Sequence, residues 1–178
     1  VVHQNLCLTT SQGEVILAWE DARNGFFNIY TQKVNKAGTL TWGQNGIAVA
    51  KAAADQINPC LVADGKGGMY FAWEDHRQAD APKIRMQHLA KNGQRLWESS
   101  LQIATAKGNQ TNPRLISDKA GGAIIVWEDT RDVLDLTNLY GQRLNSQGQL
   151  LWGSAGKALV GENGEQIDTD ITADGSGG

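Results

Sequence analysis

Short apolar segments separated by polar, glycine-containing turns run along the whole chain, and residues 59–104 show the pattern clearly. Alternation of apolar and polar side chains, or an apolar run of about four to eight residues, predicts a strand. The turns Asp64–Gly68 and Lys91–Gly93 carry the glycines that tight hairpins need at positive φ. The pattern therefore predicts four antiparallel strands and no helix. These strands lie in residues 59–63, 69–73, 84–89 and 96–104.

The same pattern recurs with a period of about 54 residues, and the tripeptide Trp-Glu-Asp marks each copy. An arginine follows the tripeptide after one intervening residue, and a second tryptophan follows further on in a glycine-containing turn. Repetition in several columns at once indicates tandem structural units rather than one irregular domain. The recurring positions are Trp19, Asp21, Arg23 and Trp42 in the first copy, Trp73, Asp75, Arg77 and Trp97 in the second, and Trp127, Asp129, Arg131 and Trp152 in the third.

Four antiparallel strands in a unit of about 50 residues are typical of a β-propeller blade. The sequence therefore predicts an all-β protein with three blades and the first strand of a fourth. A solenoid of stacked β units is the alternative, although the usual β-helix coil is much shorter than this repeat. The predicted units are residues 1–51, 52–107, 108–162 and, for the partial fourth blade, 163–178.

The fourth copy reaches only its Gly-rich turn at residues 175–178. In the second and third copies this turn leads into an apolar strand that ends in Trp-Glu-Asp, so we expect the parent chain to continue in the same way. The blade faces at the two ends, and the unpaired edge of the strand expected at Gln166–Ala173, need a covering partner. The expected partners are the remaining blades, a second copy of the chain or a capping protein.

Composition and charge exclude some classes of function. The formal net charge is −3 and the lysines and arginines form no basic stripe, so a nucleic-acid partner is not expected. The longest apolar stretches, such as Ala123–Trp127, are far too short to cross a bilayer, so membrane insertion is not expected either. Cys7 and Cys60 occupy one column of adjacent repeats, too far apart for a disulfide, and are expected to be small buried side chains.

The turn that holds the second tryptophan supports a family resemblance. It reads Asn35-Lys36-Ala37-Gly38-Thr39-Leu40-Thr41-Trp42 in the first copy, and Gly93–Trp97 and Gly148–Trp152 follow the same scheme. With the Trp-Glu-Asp-x-Arg columns, it resembles secreted bacterial propeller repeats, related in pattern to the Asp-box (BNR) repeats of sialidase-like proteins. The glycine-to-tryptophan spacing is one residue longer than in an Asp-box, and Asn replaces Asp. The resemblance implies the fold and an extracellular setting, but not sialidase chemistry.

The acidic residues are candidates for catalysis and for metal binding. A motif present once per blade is expected to be structural, because an active site needs a unique constellation, and no unmatched carboxylate pair suggests a glycosidase. We therefore predict no catalytic residue. The loop 129–135 is oxygen-rich enough for Ca²⁺, but Arg131 among its acids favours a solvated loop. The spacing of His3, His76 and His88 is not that of metal ligands. The favoured prediction is therefore that the chain has no cofactor, and Ca²⁺ is the one candidate.

The long loops after the second strand differ in every copy, and variable loops on a rigid scaffold usually carry function. Phe26 and Phe27 could form an exposed aromatic platform, or one or both could fold back onto the blade. The predicted ligand-binding residues are Phe26, Phe27, His76, Asp132 and Asp135. The favoured function is an extracellular, cell-surface or periplasmic module that binds protein or glycan through its long-loop face. The alternatives are part of a glycan-active, sialidase-like enzyme whose catalytic residues lie partly outside this chain, and a structural spacer.

Overall fold

The computed structural model describes residues 2–78, 81–131, 136–160 and 164–174, and twelve strands but no helix occur in these ranges. Accordingly, no helix in them is long and apolar enough to cross a membrane. The strands are β1 His3–Ser11, β2 Glu14–Asp21, β3 Asn28–Val34, β4 Ile47–Ala50, β5 Gln56–Ala63, β6 Met69–Asp75, β7 Lys83–Leu89, β8 Leu101–Gln102, β9 Gln110–Ser117, β10 Ala123–Asp129, β11 Asn138–Leu144 and β12 Lys157–Val160.

The strands form three four-stranded sheets, each built from four strands that are consecutive in the chain. We call the sheet β1–β4 blade 1, the sheet β5–β8 blade 2 and the sheet β9–β12 blade 3. Neighbouring strands pair antiparallel in every sheet. The structure therefore confirms the all-β class and the four-stranded antiparallel unit predicted from the repeat.

The first strands of the blades lie beside one another. Strand β5 contacts β1 on one side and β9 on the other, so the first strands share an inner edge and the fourth strands lie outside. Each first strand carries a bulge at an asparagine with φ near 50°, at Asn5, Asn58 and Asn112. Asparagine tolerates this left-handed conformation better than most residues, which accounts for the recurring Asn. The arrangement is propeller-like.

The core lies between the sheets. Blade 2 packs one face against blade 1 and its other face against blade 3. Between blades 1 and 2, Ile16 and Ala18 pack with Phe71 and Trp73. Between blades 2 and 3, the buried cluster includes Tyr70, Met86, Ile125 and Trp127. The second tryptophan of the repeat joins each cluster, as Trp42 and Trp97 respectively. Blade-to-blade packing therefore supplies the apolar burial that one sheet cannot obtain alone.

The expected first strand of a fourth blade does not form, since no strand occurs within residues 164–174. A first strand is held by its ladder with a second strand, and the described residues supply no second strand beside this segment. The start of the segment nevertheless keeps the position of the earlier copies. The Gln166 amide donates to the Thr137 carbonyl at 2.8 Å, as the Gln56 amide donates to the Phe27 carbonyl at 2.7 Å.

The cysteines differ from the expectation in burial. Cys7 and Cys60 are free thiols, as expected, but each is half-buried rather than fully buried. Both side chains pack at the edges of the clusters between blades. Burial of the sulfur raises the pKa of Cys7 to about 11, so the thiol stays protonated at neutral pH.

Candidate functional site

The glutamate of the Trp-Glu-Asp motif links consecutive blades in the first two copies of the repeat. Glu74 is buried, and its Oε1 accepts from Asn58 Nδ2 of the same blade at 2.7 Å and from the Asn112 backbone amide of the next blade at 2.8 Å. Glu20 likewise accepts from Asn5 Nδ2 and from the Asn58 amide, both at 2.7 Å. Hydrogen bonds to a buried carboxylate are among the stronger ones in proteins, so these glutamates hold the inner edges of the blades together.

The aspartate and arginine of the motif stabilise the start of the long loop. Asp75 accepts from the backbone amide and the Nε of Arg77, both at 3.0 Å, and Asp21 accepts from the backbone amide and the Nη2 of Arg23. Burial opposes ionisation of both carboxyl groups, but the hydrogen bonds from the arginines outweigh it and hold the pKa of Asp21 and Asp75 below the ordinary value. The acids of the motif therefore act in the scaffold.

Blade 2 departs from its neighbours at two positions near this ion pair. Opposite the motif tryptophan, blade 1 has Tyr30 and blade 3 has Tyr140, whereas blade 2 has Arg85. Opposite the motif aspartate, blades 1 and 3 have asparagine, whereas blade 2 has Lys83. In blade 1 the Arg23 guanidinium lies over the ring of Tyr30, 4.0 Å from its centroid, and in blade 3 Tyr140 is covered in the same way.

These substitutions create a polar cleft of about 250 Å³ at the long-loop end of blade 2, which we call the blade 2 cleft. Arg85 is held by Ser100, whose Oγ accepts from Arg85 Nε at 2.9 Å. Lys83 Nζ donates to the Ala106 carbonyl at 3.0 Å and also to the Gly108 carbonyl. The cleft is therefore preorganised by strands on one side and by the connection to blade 3 on the other. Its lining residues are Asp75, Arg77, Gln78, Lys83, Arg85 and Gln102.

The cleft holds more positive than negative charge. Burial lowers the pKa of Lys83, with Asp129 opposing and Arg131 adding to the effect. Burial and the nearby Arg77 lower the pKa of Arg85. Asp75 pairs with Arg77 and lies 3.6 Å from Arg85 Nε, so one carboxylate serves two guanidinium groups.

The structure separates the residues predicted to bind a ligand. Phe26 is 44% exposed, whereas Phe27 is half-buried and tied by its backbone amide to Asp55 Oδ1 at 2.9 Å. His76 is half-buried, with Nε2 3.3 Å from Glu74 Oε2. Asp132 and Asp135 lie outside the described residues. One phenylalanine thus faces solvent and the other is fixed to the scaffold, which decides a question that the sequence left open.

Sequence reasoning missed Lys83 and Arg85. Both stand out once the repeat is aligned column by column, because they replace the pairs Asn28/Asn138 and Tyr30/Tyr140. The loops differ visibly in length between copies, whereas these two positions differ only in residue type at the end of a strand of equal length. As for a metal, the described residues hold no group of three or more His, Cys, Asp or Glu that could bind one, and the predicted Ca²⁺ loop lies partly outside them.

A second cavity, of about 570 Å³, lies on the face of blade 1 that points away from blade 2. We call this surface the open face of blade 1. Trp19, which corresponds to the buried Trp73, is only half-buried here. The surface is largely apolar, which on a soluble protein marks a contact surface. Its apolar residues are Leu6, Leu8, Leu17, Trp19 and Leu40.

Comparison with known proteins shows the fold alone. The chain is similar to an endo-arabinase from Bacteroides thetaiotaomicron, with a TM-score of 0.51 and 12% identity over 86% of this chain and 61% of that one. It is also similar to a protein from Parabacteroides distasonis provisionally assigned as a glycoside hydrolase, with a TM-score of 0.53 and 11% identity over 93% of this chain and 52% of that one. The chain thus spans less than two thirds of either structure. No family model and no curated protein matches the sequence, so the resemblance to Asp-box repeats stays a prediction.

Proposed function

We propose that this chain is part of a glycan-binding propeller that contacts its ligand through the long-loop end, with the blade 2 cleft as the central contact. The observation that carries the proposal is the departure of blade 2 from the repeat. The scaffold residues recur in every blade, whereas the cleft brings Gln78, Arg85 and Gln102 together in one blade. Amide and guanidinium groups of this kind fix the orientation of a polar ligand in a cleft.

Two further features support a glycan as the ligand. Phe26 presents an exposed ring on the corresponding loop of blade 1, and a flat apolar ring beside polar side chains suits the mixed surface of a sugar. The fold is similar to that of an endo-arabinase and of a provisionally assigned glycoside hydrolase, and the names of both proteins concern glycans. We accordingly place the activity of this chain at the cell surface or outside the cell, as part of the same proposal.

The alternative function is that of a glycan-active enzyme to which this chain contributes only part of the active site. The two similar structures favour it, because one is an endo-arabinase and the other is provisionally assigned as a glycoside hydrolase. Against it, the motif acids are engaged in structural hydrogen bonds, Glu20 and Glu74 between blades and Glu128 with the amide of Asp168. A glycosidase needs two carboxyl groups that face the substrate.

Affinity electrophoresis in gels that contain one soluble polysaccharide each tests the proposal. We expect at least one polysaccharide to retard the chain, and we expect Gln78→Ala with Gln102→Ala to reduce the retardation. The matched control is Gln94→Ala, in the short turn at the other end of blade 2. Absence of retardation by every polysaccharide would contradict glycan binding. Release of new reducing ends during incubation would favour the enzyme.

We also propose that a further blade of this repeat type covers the open face of blade 1. The interface between blades 1 and 2 provides the template. There, Leu61, Phe71 and Trp73 of blade 2 pack against blade 1. The equivalent residues of blade 1 are Leu8, Leu17 and Trp19, which lie on the open face. The blade can come from a longer parent chain, which completes the propeller, or from a second copy. In a solution of the isolated chain the second copy is the expected occupant.

A further inference from the structure

The charges around the blade 2 cleft do not balance, and the imbalance is specific to blade 2. At the same positions, blade 1 has one cation and one anion, Arg23 and Asp21, and blade 3 likewise has Arg131 and Asp129. Blade 2 has three cations against Asp75 alone, and the neighbouring blade 3 pair is neutral as a unit. The described residues of the cleft therefore leave an excess of about two positive charges that no other blade has.

The cations also keep donors available. Arg85 uses Nε and Nη2 on Ser100, and Arg77 uses Nε and Nη2 on Asp75. Within the described part of the chain, no acceptor bonds the Nη1 of either arginine, and Lys83 Nζ has two carbonyl acceptors for its three protons. Lys83 is buried and Arg85 half-buried, and cations in such positions are costly unless they are paired, because burial removes their hydration. An anion in the cleft would supply the missing acceptors.

The size of the cleft limits the anion. A volume of about 250 Å³ is below the roughly 300–1,000 Å³ of sites for drug-sized ligands, so the cleft suits one charged sugar unit rather than a long segment. Gln78 and Gln102 add amide donors and acceptors of the kind that hydroxyl groups require. Arginine presents planar donor pairs that match the oxygens of a carboxylate or sulfate group.

We propose that the blade 2 cleft binds the oxyanion substituent, carboxylate or sulfate, of an acidic sugar in a glycan, with Arg77, Lys83 and Arg85 as donors. The inference rests on the proposed glycan-binding function and specifies its ligand. Because the attraction is partly between exposed charges, binding weakens as the salt concentration rises.

Chemical-shift titration of the full 178-residue chain with glucuronate, glucose 6-sulfate and glucose tests the inference. We expect the acidic sugars to bind at least about tenfold more tightly than glucose and to shift the amide resonances of Gln78 and Gln102, since bonds to charged groups are the stronger ones. The two acidic sugars separate a carboxylate from a sulfate. The variant Lys83→Asn with Arg85→Tyr, which restores the residues of blades 1 and 3, is expected to abolish the preference. The control Lys157→Asn removes an exposed charge on β12 and should change nothing.

Several results would overturn the inference. One is equal binding of glucose and both acidic sugars, and another is an unchanged preference in the double variant. Retardation by neutral polysaccharides, without any preference for acidic sugars, would leave the proposed function standing and remove this inference alone. Shifts of the same amides by an aspartate-rich peptide, but by neither acidic sugar, would assign the cleft to protein instead. If tryptophan fluorescence shows that the double variant is unfolded, Arg85→Gln replaces it. A weaker preference for acidic sugars in Arg85→Gln, with wild-type shifts at Gln78 and Gln102, supports the inference. An unchanged preference, or shifts elsewhere in the chain, overturns it.

Discussion

The interface between blades 1 and 2 and the open face of blade 1 use the same columns of the repeat in opposite surroundings. At the interface, Phe71 and Trp73 are at most 1% exposed. On the open face, the corresponding Leu17 and Trp19 are only half-buried, and Leu8 is 60% exposed. The difference shows that burial of these columns is a property of the pair of blades, because blade 1 covers Phe71 and Trp73 whereas the described residues leave Leu17 and Trp19 partly exposed.

The polar part of the motif shows the same dependence on a neighbour. Glu74 bonds Asn58 of its own blade and Asn112 of a complete blade 3. Glu128 bonds Asn112 of its own blade and the amide of Asp168, in a segment that forms no strand. The residue is the same in both copies, but the second partner is less firmly held at the end of the array. This contrast leads to predictions of graded size.

The largest effect is expected from the motif tryptophans. Trp73→Ala removes a fully buried indole between two blades and should lower the free energy of unfolding by about 3–5 kcal/mol. Trp19→Ala, at the same position on the open face, should cost less, about 1–2 kcal/mol, because its half-buried indole lacks the cover of a second blade. Urea denaturation followed by circular dichroism measures both. Equal losses for the two variants would mean that the open face is covered in the folded chain.

The next effect concerns the glutamates. Glu74→Ala leaves the buried donors Asn58 Nδ2 and Asn112 N without an acceptor, for an expected cost of about 2–4 kcal/mol. Glu128→Ala should cost about half as much, because its partner segment around Asp168 forms no strand and so has no strand-to-strand hydrogen bonds that the substitution could weaken. Thermal unfolding of the two variants gives the comparison. A larger loss for Glu128→Ala would show that residues 164–174 contribute more to stability than the contacts indicate.

A pH-dependent effect of intermediate size is expected at His88, which is buried against Tyr70 with ring centroids 4.0 Å apart. Burial lowers the pKa of His88 below 6.5, although its contact with Asp64 opposes the shift. Below pH 6.5 the unfolded chain therefore binds a proton that the folded chain does not, so stability falls as the pH decreases from 6.5 toward the folded value.

The size of this loss is at most about 1.4 kcal/mol per pH unit. Unfolding free energies measured at pH 7.5 and pH 5 should differ less in His88→Gln than in the wild type. The equivalent position in blade 3 holds Arg143, which pairs with Asp118 and has no imidazole, so Arg143→Gln serves as the control. Equal pH dependence in the wild type and His88→Gln would refute the assignment.

The smallest effect is expected at Phe26, which is exposed on its loop. Phe26→Ala should change the free energy of unfolding by less than about 0.5 kcal/mol while weakening retardation by a bound polysaccharide. Phe27→Ala is the comparison, since its half-buried side chain should cost more. A strong loss of stability in Phe26→Ala would place that ring in the core and remove it from the proposed binding surface.

The sequence predicted the strands and the repeat because hydrophobic periodicity and turn glycines are local signals. Repetition alone indicates a structural role for Trp73 and Trp127, and the structure places both between blades. The bridging role of Glu74 was not predicted, because its partner Asn112 lies 38 residues away in the chain and only the fold brings the two together. The prediction of a strand at residues 166–173 was wrong, because a strand forms only beside a pairing partner, and the local sequence pattern does not show whether one is present.

The blade 2 cleft was missed for a related reason. Arg85 and Lys83 alternate with apolar residues as a strand requires, and the pattern alone does not distinguish an exposed charge from one that lines a cavity. Their burial becomes visible only when the connection between blades 2 and 3 folds over them, with Lys83 bonded to the carbonyls of Ala106 and Gly108.

Sedimentation velocity of the isolated chain at micromolar concentration tests most directly the central claim that the motif specifies a surface for another blade. The account predicts association that increases with concentration. It also predicts that Leu6→Glu with Leu8→Glu, on the open face, shifts the chain toward the monomer, whereas Leu96→Glu, an exposed leucine of blade 2, does not. A wild-type chain that stays monomeric, or an association that the open-face variant leaves unchanged, would contradict the claim.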